Sequence, residues 1–547
     1  MQVALPENLK IYELESVDST SLHAVRVMGD HESPFLVTAK EQTCGKGQRG
    51  KVWRSERGNI FFSLGFPEAC LSHLEPAEIG AWTLKVAVAI CEVIESEYSL
   101  VAQIKWPNDI LIGGKKVCGI LCESSLTDKG RLQYVVVGVG INVDSHPDDE
   151  ELSYLATDLI SERRCPVDSA ELAAKLCERL LSTLERPFDQ SLYRTYMLPS
   201  KIPYVARQGV ELFTAKSVLL SGELHATNCT SDEERTFVSA DDAPTPLFLS
   251  ATPVLIADMG NSALKIGGFV ADRLETDVLT VRFSEEGSEE KLSSFFLQLR
   301  EKYPVYQKCR SIPLYYGSVN SKWTEKLENM ASSTNLFSLF PVLKKNYCVK
   351  LDKYPLAELG IDRLALLESY LGAVPTKTRE NQHSSPTKEI GVVVSFGTAT
   401  TVDAITHEGI YLGGWIASGL ATGLKALSSQ TDALPLLEAV VNENSSRLEW
   451  GTTTLSSLQN GAIASQLGLV ENALKLIHRE FPGGVLIYLT CTGGASRAVV
   501  PFLEKWTVDS GTTQNHECLL LKSSEISVLD GLRRMLLSEN RKTSKRK

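Results

Sequence analysis

The stretch SADDAPTPLFLSATP, Ser239–Pro253, is where the chain changes its pattern. Its three prolines, two aspartates and weak apolar periodicity mark a joint between separately packed units. After it, VLIADMGNSALKIGGFV reads as strand, glycine turn, strand. PLYYGSV (Pro313–Val319), GVVVSFGTATTVDAI (Gly391–Ile405) and GVLIYLTCTGG (Gly484–Gly494) are apolar runs ending in glycine and hydroxyl residues. Helical patterns over Asp362–Leu371 and Gly461–Phe481 lie between them, so this half is α/β. The strand ends ADMGNS and SFGTATT suggest an internal duplication. The segment Thr376–Glu389 is polar and is expected to be a mobile surface loop.

The half before the joint mixes strands and helices differently. IYELESVDSTS gives a strand and then a helix start at Asp18, Ser19, Thr20 and Ser21. PFLVTAKEQT and NIFFSLGF are further strands, and residues 77–98 form an amphipathic helix. YVVVGVGINV (Tyr134–Val143) is a buried strand whose glycines let a backbone approach a ligand. Asp168 caps a helix with Glu171 three residues on, and apolar positions continue to about Leu184. Residues 200–240 switch to short strands and turns, a small β-barrel. With 547 residues in all, the chain has room for three or four domains of about 150 residues.

Charge and cysteine usage exclude several classes. The net charge of −11, with both signs interspersed, argues against a general nucleic-acid binder. The sustained basic run is the tail Arg541–Lys547, expected to fray. Twelve cysteines without a CxxC pair read as reduced thiols of a cytoplasmic protein, not as a disulfide framework or zinc site. The start MQVALPENLK lacks a signal pattern, and no apolar run reaches the length of about 18 residues that spans a membrane.

Two stretches of the first half carry chemistry. The loop Gly45–Lys51 combines glycines with Lys46, Arg49 and Lys51, giving backbone donors and charge for phosphate or carboxylate, although it lacks P-loop spacing. In KWPNDILIGGKKVCGILCES, from Lys105 to Ser124, Pro107 restricts Trp106 and sets the Asn108–Asp109 pair. Two strands joined by Gly-Gly follow, with Lys105 and Lys116 placed to face one anion. Taken singly, a solvated hairpin and a flexible Gly/Lys loop are the competing readings.

Together, DSTS, EQTCGKGQRGKVW, KWPNDILIGGKKVCGILCE and GVGINV resemble, in order, the motifs of biotin protein ligases over about residues 10–240. The resemblance implies a class II synthetase-like mixed sheet (1–195) followed by a small SH3-like β-barrel (196–242). It implies joining of biotin to AMP with ATP and Mg²⁺, then transfer to a lysine of the biotin carboxyl carrier protein of acetyl-CoA carboxylase. By the same resemblance Ser19, Thr20, Gln42, Gly45, Lys46, Lys116 and Gly119 meet biotin. Arg49, Trp53, Asn108, Asp109 and Asn142 meet the nucleotide, and Lys105 and Lys116 lie at the reacting carboxylate and phosphate. Backbone donors and cations suit a reaction in which negative charge crowds. The chain departs from the family at Gln48, which replaces a cation, and at Ser21, which replaces Asn. A lost charge-assisted contact is worth about 1.5–3 kcal/mol, so weaker retention of the adenylate is expected. The ligase motifs begin near Val17, leaving no room for the repressor helix-turn-helix of many relatives, so no operator binding is expected.

ADMGNSALK, LGIDRLAL, SFGTATTVDA, GGWIASG, TTTLSSLQNG and CTGGAS resemble type III pantothenate kinases over about residues 254–535. That implies a two-lobed acetate-kinase/hsp70/actin-like domain (254–540) after a linker (243–253). It also implies phosphoryl transfer from ATP to pantothenate, a homodimer through this half, Mg²⁺, and a monovalent cation, K⁺ or NH₄⁺. Asp258 is the expected metal ligand, and Asp258, Gly260, Asn261, Lys265, Gly397, Thr398, Thr400, Thr401, Gly493 and Gly494 surround ATP. Asp362 is the expected general base, with Tyr354, Gly360, Arg363 and Thr454 lining the pantothenate pocket. Ser395 stands where the family has Asp, and Ser418 where it has Pro; Asp403, in the same run, is the expected stand-in carboxylate for the monovalent cation. The whole is thus read as a bifunctional α/β and α+β multidomain enzyme. The alternative is that one half has lost catalysis and senses a ligand or docks the carrier.

Overall fold

The computed structural model describes residues 9–48, 52–147, 156–163, 166–206, 210–238, 244–282, 285–344, 347–373, 388–437, 448–510, 512–513, 516–521 and 527–538. Arg49, Lys51, nearly all of Thr376–Glu389 and the tail Arg541–Lys547 lie outside them.

The first half is built on a seven-stranded sheet in the order Lys10–Leu14, Phe35–Ala39, Ile60–Pro67, Leu132–Ile141, Lys115–Leu126, Asp109–Ile112, Ala102–Lys105. The first pair is parallel and the rest antiparallel, so the sheet is mixed. Its central strands are buried on both faces, which is why NIFFSLGF and YVVVGVGI are apolar without alternation. Helices Trp82–Tyr98 and Ser169–Leu184 share the main core with the sheet, while Thr20–Val27 packs with Phe35, Val37 and Val136 in a smaller one. Asp168 caps its helix as expected, accepting from the backbone of Ala170 and Glu171. The Gly113–Gly114 turn needs φ of +59° and +87°, a pairing glycine adopts without strain.

A five-stranded antiparallel sheet follows: Glu234–Phe237, Leu224–Asn228, Leu212–Val218, Tyr204–Val205, Thr245–Pro246. Its last strand comes from the segment read as linker, where Leu247 and Phe248 are also buried.

The second half holds two six-stranded sheets with matching topology. In one, Val254–Met259 pairs antiparallel with Ala263–Val270, which pairs antiparallel with Arg273–Leu274. On the other side Ile312–Ser318 and Phe337–Pro341 join in parallel. In the second sheet, Lys388–Phe396, Ala399–Thr406 and Tyr411–Ser418 form the antiparallel part, and Val485–Thr492 and His516–Leu521 the parallel part. ADMGNS and SFGTATT sit at the same turn of the two sheets, so the duplication is real at the level of topology. Helix Ile361–Ala373 touches strands of both sheets, and the terminal helix Val528–Leu537 packs on it and on the first sheet.

One apolar core crosses the joint. Leu111, Leu198, Ile202, Val205, Leu212, Leu247 and Phe248 cluster with Leu255, Ile256, Leu529 and Leu537. Gly531 of the terminal helix lies directly against the backbone of Ala365, so the two helices touch without side chains between them. Gly531→Ala should therefore lower stability by about 1–3 kcal/mol, because overpacking outweighs the helix propensity gained. A thermal melt that rises would refute this packing.

Candidate functional sites

In the first half, one pocket is lined by Ser19, Thr20, Gln42, Lys46, Trp53, Asn108, Lys116 and Gly119. Strand pairing explains how. Val17 bridges to Gln42, which brings the helix start at Ser19 beside the second loop. Gly45 pairs with Trp53, so the Gly/Lys loop begins as a two-stranded flap. The floor is the register pair Gly119 and Gly140, on which the Trp53 indole rests; a Cβ at either would come within 2.6 Å of the ring.

Hydrogen bonds fix the deep end. The Gln42 carbonyl oxygen accepts from the Thr20 backbone (2.8 Å) and hydroxyl (3.1 Å). Its amide nitrogen donates to Ser55 Oγ at 2.9 Å, which settles the amide orientation. Ser63 Oγ donates to Thr20 Oγ1 (2.9 Å) and pairs with Ser21 Oγ (3.0 Å). Ser55 and Ser63 were not singled out from sequence; Ser63 is a lone hydroxyl inside NIFFSLGF. Ser19 Oγ and Trp53 Nε1 are buried without hydrogen-bond partners. Those two orphans suit a ligand bearing both a donor and an acceptor.

Lys116 connects the pocket to Asp109, which is buried and, like Lys105, not among the pocket residues: Asp109 is clasped by Lys116 Nζ at 2.6 Å and Lys105 Nζ at 2.7 Å. Burial alone pushes the carboxyl up, but the charges of Lys116 and then Lys105, with their hydrogen bonds, outweigh it and hold it far below the usual range. The cluster keeps one surplus positive charge. Lys116 Nζ also stands 5.1 Å from the Trp53 ring. Asn108 donates to the Ile120 carbonyl (2.8 Å), and Asn142 is buried with its amide on the Thr157 carbonyl (3.0 Å). Asn142 is not among the pocket residues. Lys46 faces Glu123 at 3.8 Å.

In the second half the two glycine turns meet. Ser262 and Thr398 hydroxyls are hydrogen-bonded across the sheets. Asp258 lies opposite Lys265 in register and close enough to Asp362 for its charge to be felt. Burial first, with Asp362 adding and Lys265 opposing, pushes the Asp258 carboxyl up to about 6. Two half-buried carboxylates near each other form a donor set that a divalent cation would relieve. Asp362 Oδ1 accepts from the Arg363 backbone at 2.9 Å. Gly493, with φ +97°, backs onto Phe396, and Ala495 donates to the Phe396 carbonyl.

Other predicted residues have partners within the chain, and Arg363 lies 6.0 Å from the Tyr354 ring. Arg363 is buried, with Nη2 on Asp403 Oδ1 (2.6 Å) and on Tyr411 (2.8 Å), and Nε on Asp403 Oδ2 (3.3 Å). Asp403, the expected stand-in for a cation ligand, spends both oxygens on that fork. Ser395 lies opposite Thr401 and Thr492. Among the described residues no group of three His, Cys, Asp or Glu is arranged to hold a metal. Thr400 is buried and donates to Gln466 Oε1 at 2.6 Å, away from the second turn's exposed end. Tyr354 meets Tyr411 edge-on at 5.3 Å, and Thr454 opens the long helix Thr454–Glu480 capped by Thr453.

Both sites gather charge, one with surplus cations and one with surplus carboxylates. Residues 14–142 match the biotin/lipoate A/B protein ligase family and residues 254–476 the type III pantothenate kinase family. The bifunctional ligase/repressor BirA of Bacillus spizizenii is 36% identical over 162 residues, 28% of this chain and 48% of that protein. The chain thus spans about half the length of that relative. The type III pantothenate kinase of Legionella pneumophila (strain Corby) is 32% identical over 248 residues, 44% of this chain and 87% of that protein. The biotin protein ligase from Aquifex aeolicus in complex with biotin and ATP superposes with a TM-score of 0.37 at 22% identity, covering 43% of this chain and 99% of that one. The chain therefore belongs to the type III pantothenate kinase family through its second half, while its first half is similar to biotin/lipoate A/B protein ligases over residues 14–142.

The Asp258 carboxyl gives a pH test. Its folded value is raised, so the group favours folding fully below its ordinary 3.8, and that support is lost as pH rises through about 6. Asp258→Asn should raise the melting temperature of the ligand-free protein above pH 6, with the gain vanishing below pH 4. A gain independent of pH would contradict the burial argument.

Proposed function

We propose that the chain is a bifunctional enzyme: an ATP-dependent biotin protein ligase and a pantothenate kinase. The ligase reading rests chiefly on one observation, the convergence of Ser19, Thr20, Gln42, Trp53 and Lys116 on one pocket. Thr20 and Gln42 offer a fixed set of donors and acceptors to the ureido ring of biotin. Lys116 and Lys105 neutralise the carboxylate and α-phosphate as they approach, and Asp109 keeps both ammonium groups in place. Biotinyl-AMP forms with loss of pyrophosphate, and a lysine of the biotin carboxyl carrier protein then takes the biotin. Trp53 must lift from Gly119 and Gly140 to stack on adenine.

In the kinase site, Asp258 and the two turns hold the phosphates of ATP. Mg²⁺, when bound beside Asp258, supplies charge neutralisation. Asp362 takes the proton of the pantothenate hydroxyl. We assign Arg363, locked to Asp403, to shaping the pocket wall behind Asp362. The repeated sheet topology fits an acetate-kinase/hsp70/actin-like domain, and the antiparallel five-stranded sheet fits an SH3-like barrel. A homodimer through the kinase half fits Leu412, Trp415 and Ile416, apolar residues exposed on one outer strand. No helix among the described residues is long and apolar enough to cross a membrane. A cytoplasmic location agrees with the described cysteines, all of which are free thiols.

Two assays on the full chain test the proposal: pyrophosphate release with biotin and ADP release with pantothenate. Lys116→Ala should abolish the first and spare the second. Asp362→Asn should lower the second by about 10²–10⁴-fold and spare the first. Loss of both rates in either variant, or neither rate in the unmodified chain, would defeat the assignment.

A further inference from the structure

The seam between the halves runs beside the ligase lysines. Along a strand, residues two apart share a face about 7 Å apart. Gln103 and Lys105 are so related, as are Asp109 and Leu111, and Lys116 lies opposite Leu111 in register. One end of this face carries the Lys105–Asp109–Lys116 cluster. The other end is covered by the terminal helix. The buried Gln103 amide donates to the Leu537 carbonyl, and Leu111 belongs to the same core as Leu537. At the hairpin turn, Leu537 also packs on Gly114.

Arg533 is only 2% exposed, a costly place for a guanidinium unless its donors are satisfied. Nε and Nη2 bind Asp530 Oδ1 at 3.0 and 2.8 Å. Nη1 reaches two carbonyls, Ala271 at 3.1 Å and Gly113 of the ligase hairpin at 3.3 Å. Next to it Lys115 pairs with Asp272 at 2.5 Å. The residue that precedes the ligase lysine is therefore anchored to the kinase half. The helix is itself fixed to the one bearing Asp362, through Asp530 and Ser369 at 3.0 Å.

We propose that the terminal helix Val528–Leu537 is a working part of the ligase, with Arg533 and Leu537, aided by Asp272, positioning the hairpin that presents Lys116. The idea rests on the ligase reading for its kinetic consequence only; the positioning itself is a property of the folded chain.

The test uses the full chain with Gln103→Leu, which removes the amide contact, and Asp272→Asn, which removes the half-buried anchor of Lys115. Two things are measured: kinetics of both reactions, and hydrogen exchange at residues 105–109 and 115–119. The proposal expects faster exchange at those amides and about a tenfold or greater loss of kcat/KM for pyrophosphate release, with ADP release within about twofold. Asp272→Glu should restore both. Unchanged exchange overturns the proposal, as does a parallel loss of both activities with a lowered melting temperature. If the unmodified chain releases no pyrophosphate, the ligase reading falls, and exchange alone still decides whether the helix holds the hairpin.

Discussion

A carboxylate gripped by two lysines and two carboxylates held close to each other are both costly arrangements, and each survives only on a stiff support. Asp109 lies on a strand whose neighbours on both sides supply the lysines, so the triad is set by sheet register and not by mobile side chains. Asp258 lies at the end of a central strand, with Asp362 brought up by a helix wedged against both kinase sheets. The surplus charges have opposite sign. The first site carries surplus ammonium charge of its own, whereas the second carries surplus carboxylate charge that a cation would offset.

The elements that place these groups were mostly legible. Glycine-ended apolar strands, the Gly113–Gly114 turn and the Asp168 cap are local signals, and local chemistry fixes them. The convergence of Ser19, Gln42, Trp53 and Lys116 followed from ordered motifs and could be anticipated as a set. Ser63 was invisible because a single serine in an apolar strand has no pattern. The Arg363–Asp403 fork was missed for another reason: a cation and a carboxylate forty positions apart give no hint of pairing, so both were assigned to ligands. The glycines of Tyr134–Val143 were expected to let the chain's backbone approach a ligand closely, and in the folded chain the Trp53 ring lies against Gly140.

Least legible of all was the seam. Gln103 and Leu537 are far apart in sequence, and the stretch around Pro246 looked like a linker while it contributes a strand and buried apolar residues to a shared core. A composition break marks where a pattern changes, not where packing stops. The two halves thus meet through an apolar core and a buried arginine, although their motifs read as independent.

The most direct test of two separate charge-crowded sites on one frame is to run both reactions in one vessel, with biotin, pantothenate and ATP all saturating. The account predicts that pyrophosphate and ADP appear together, each at the rate measured with its own substrate alone. Suppression of one product by the other substrate, in proportion to its concentration, would mean a single shared nucleotide pocket and would contradict it.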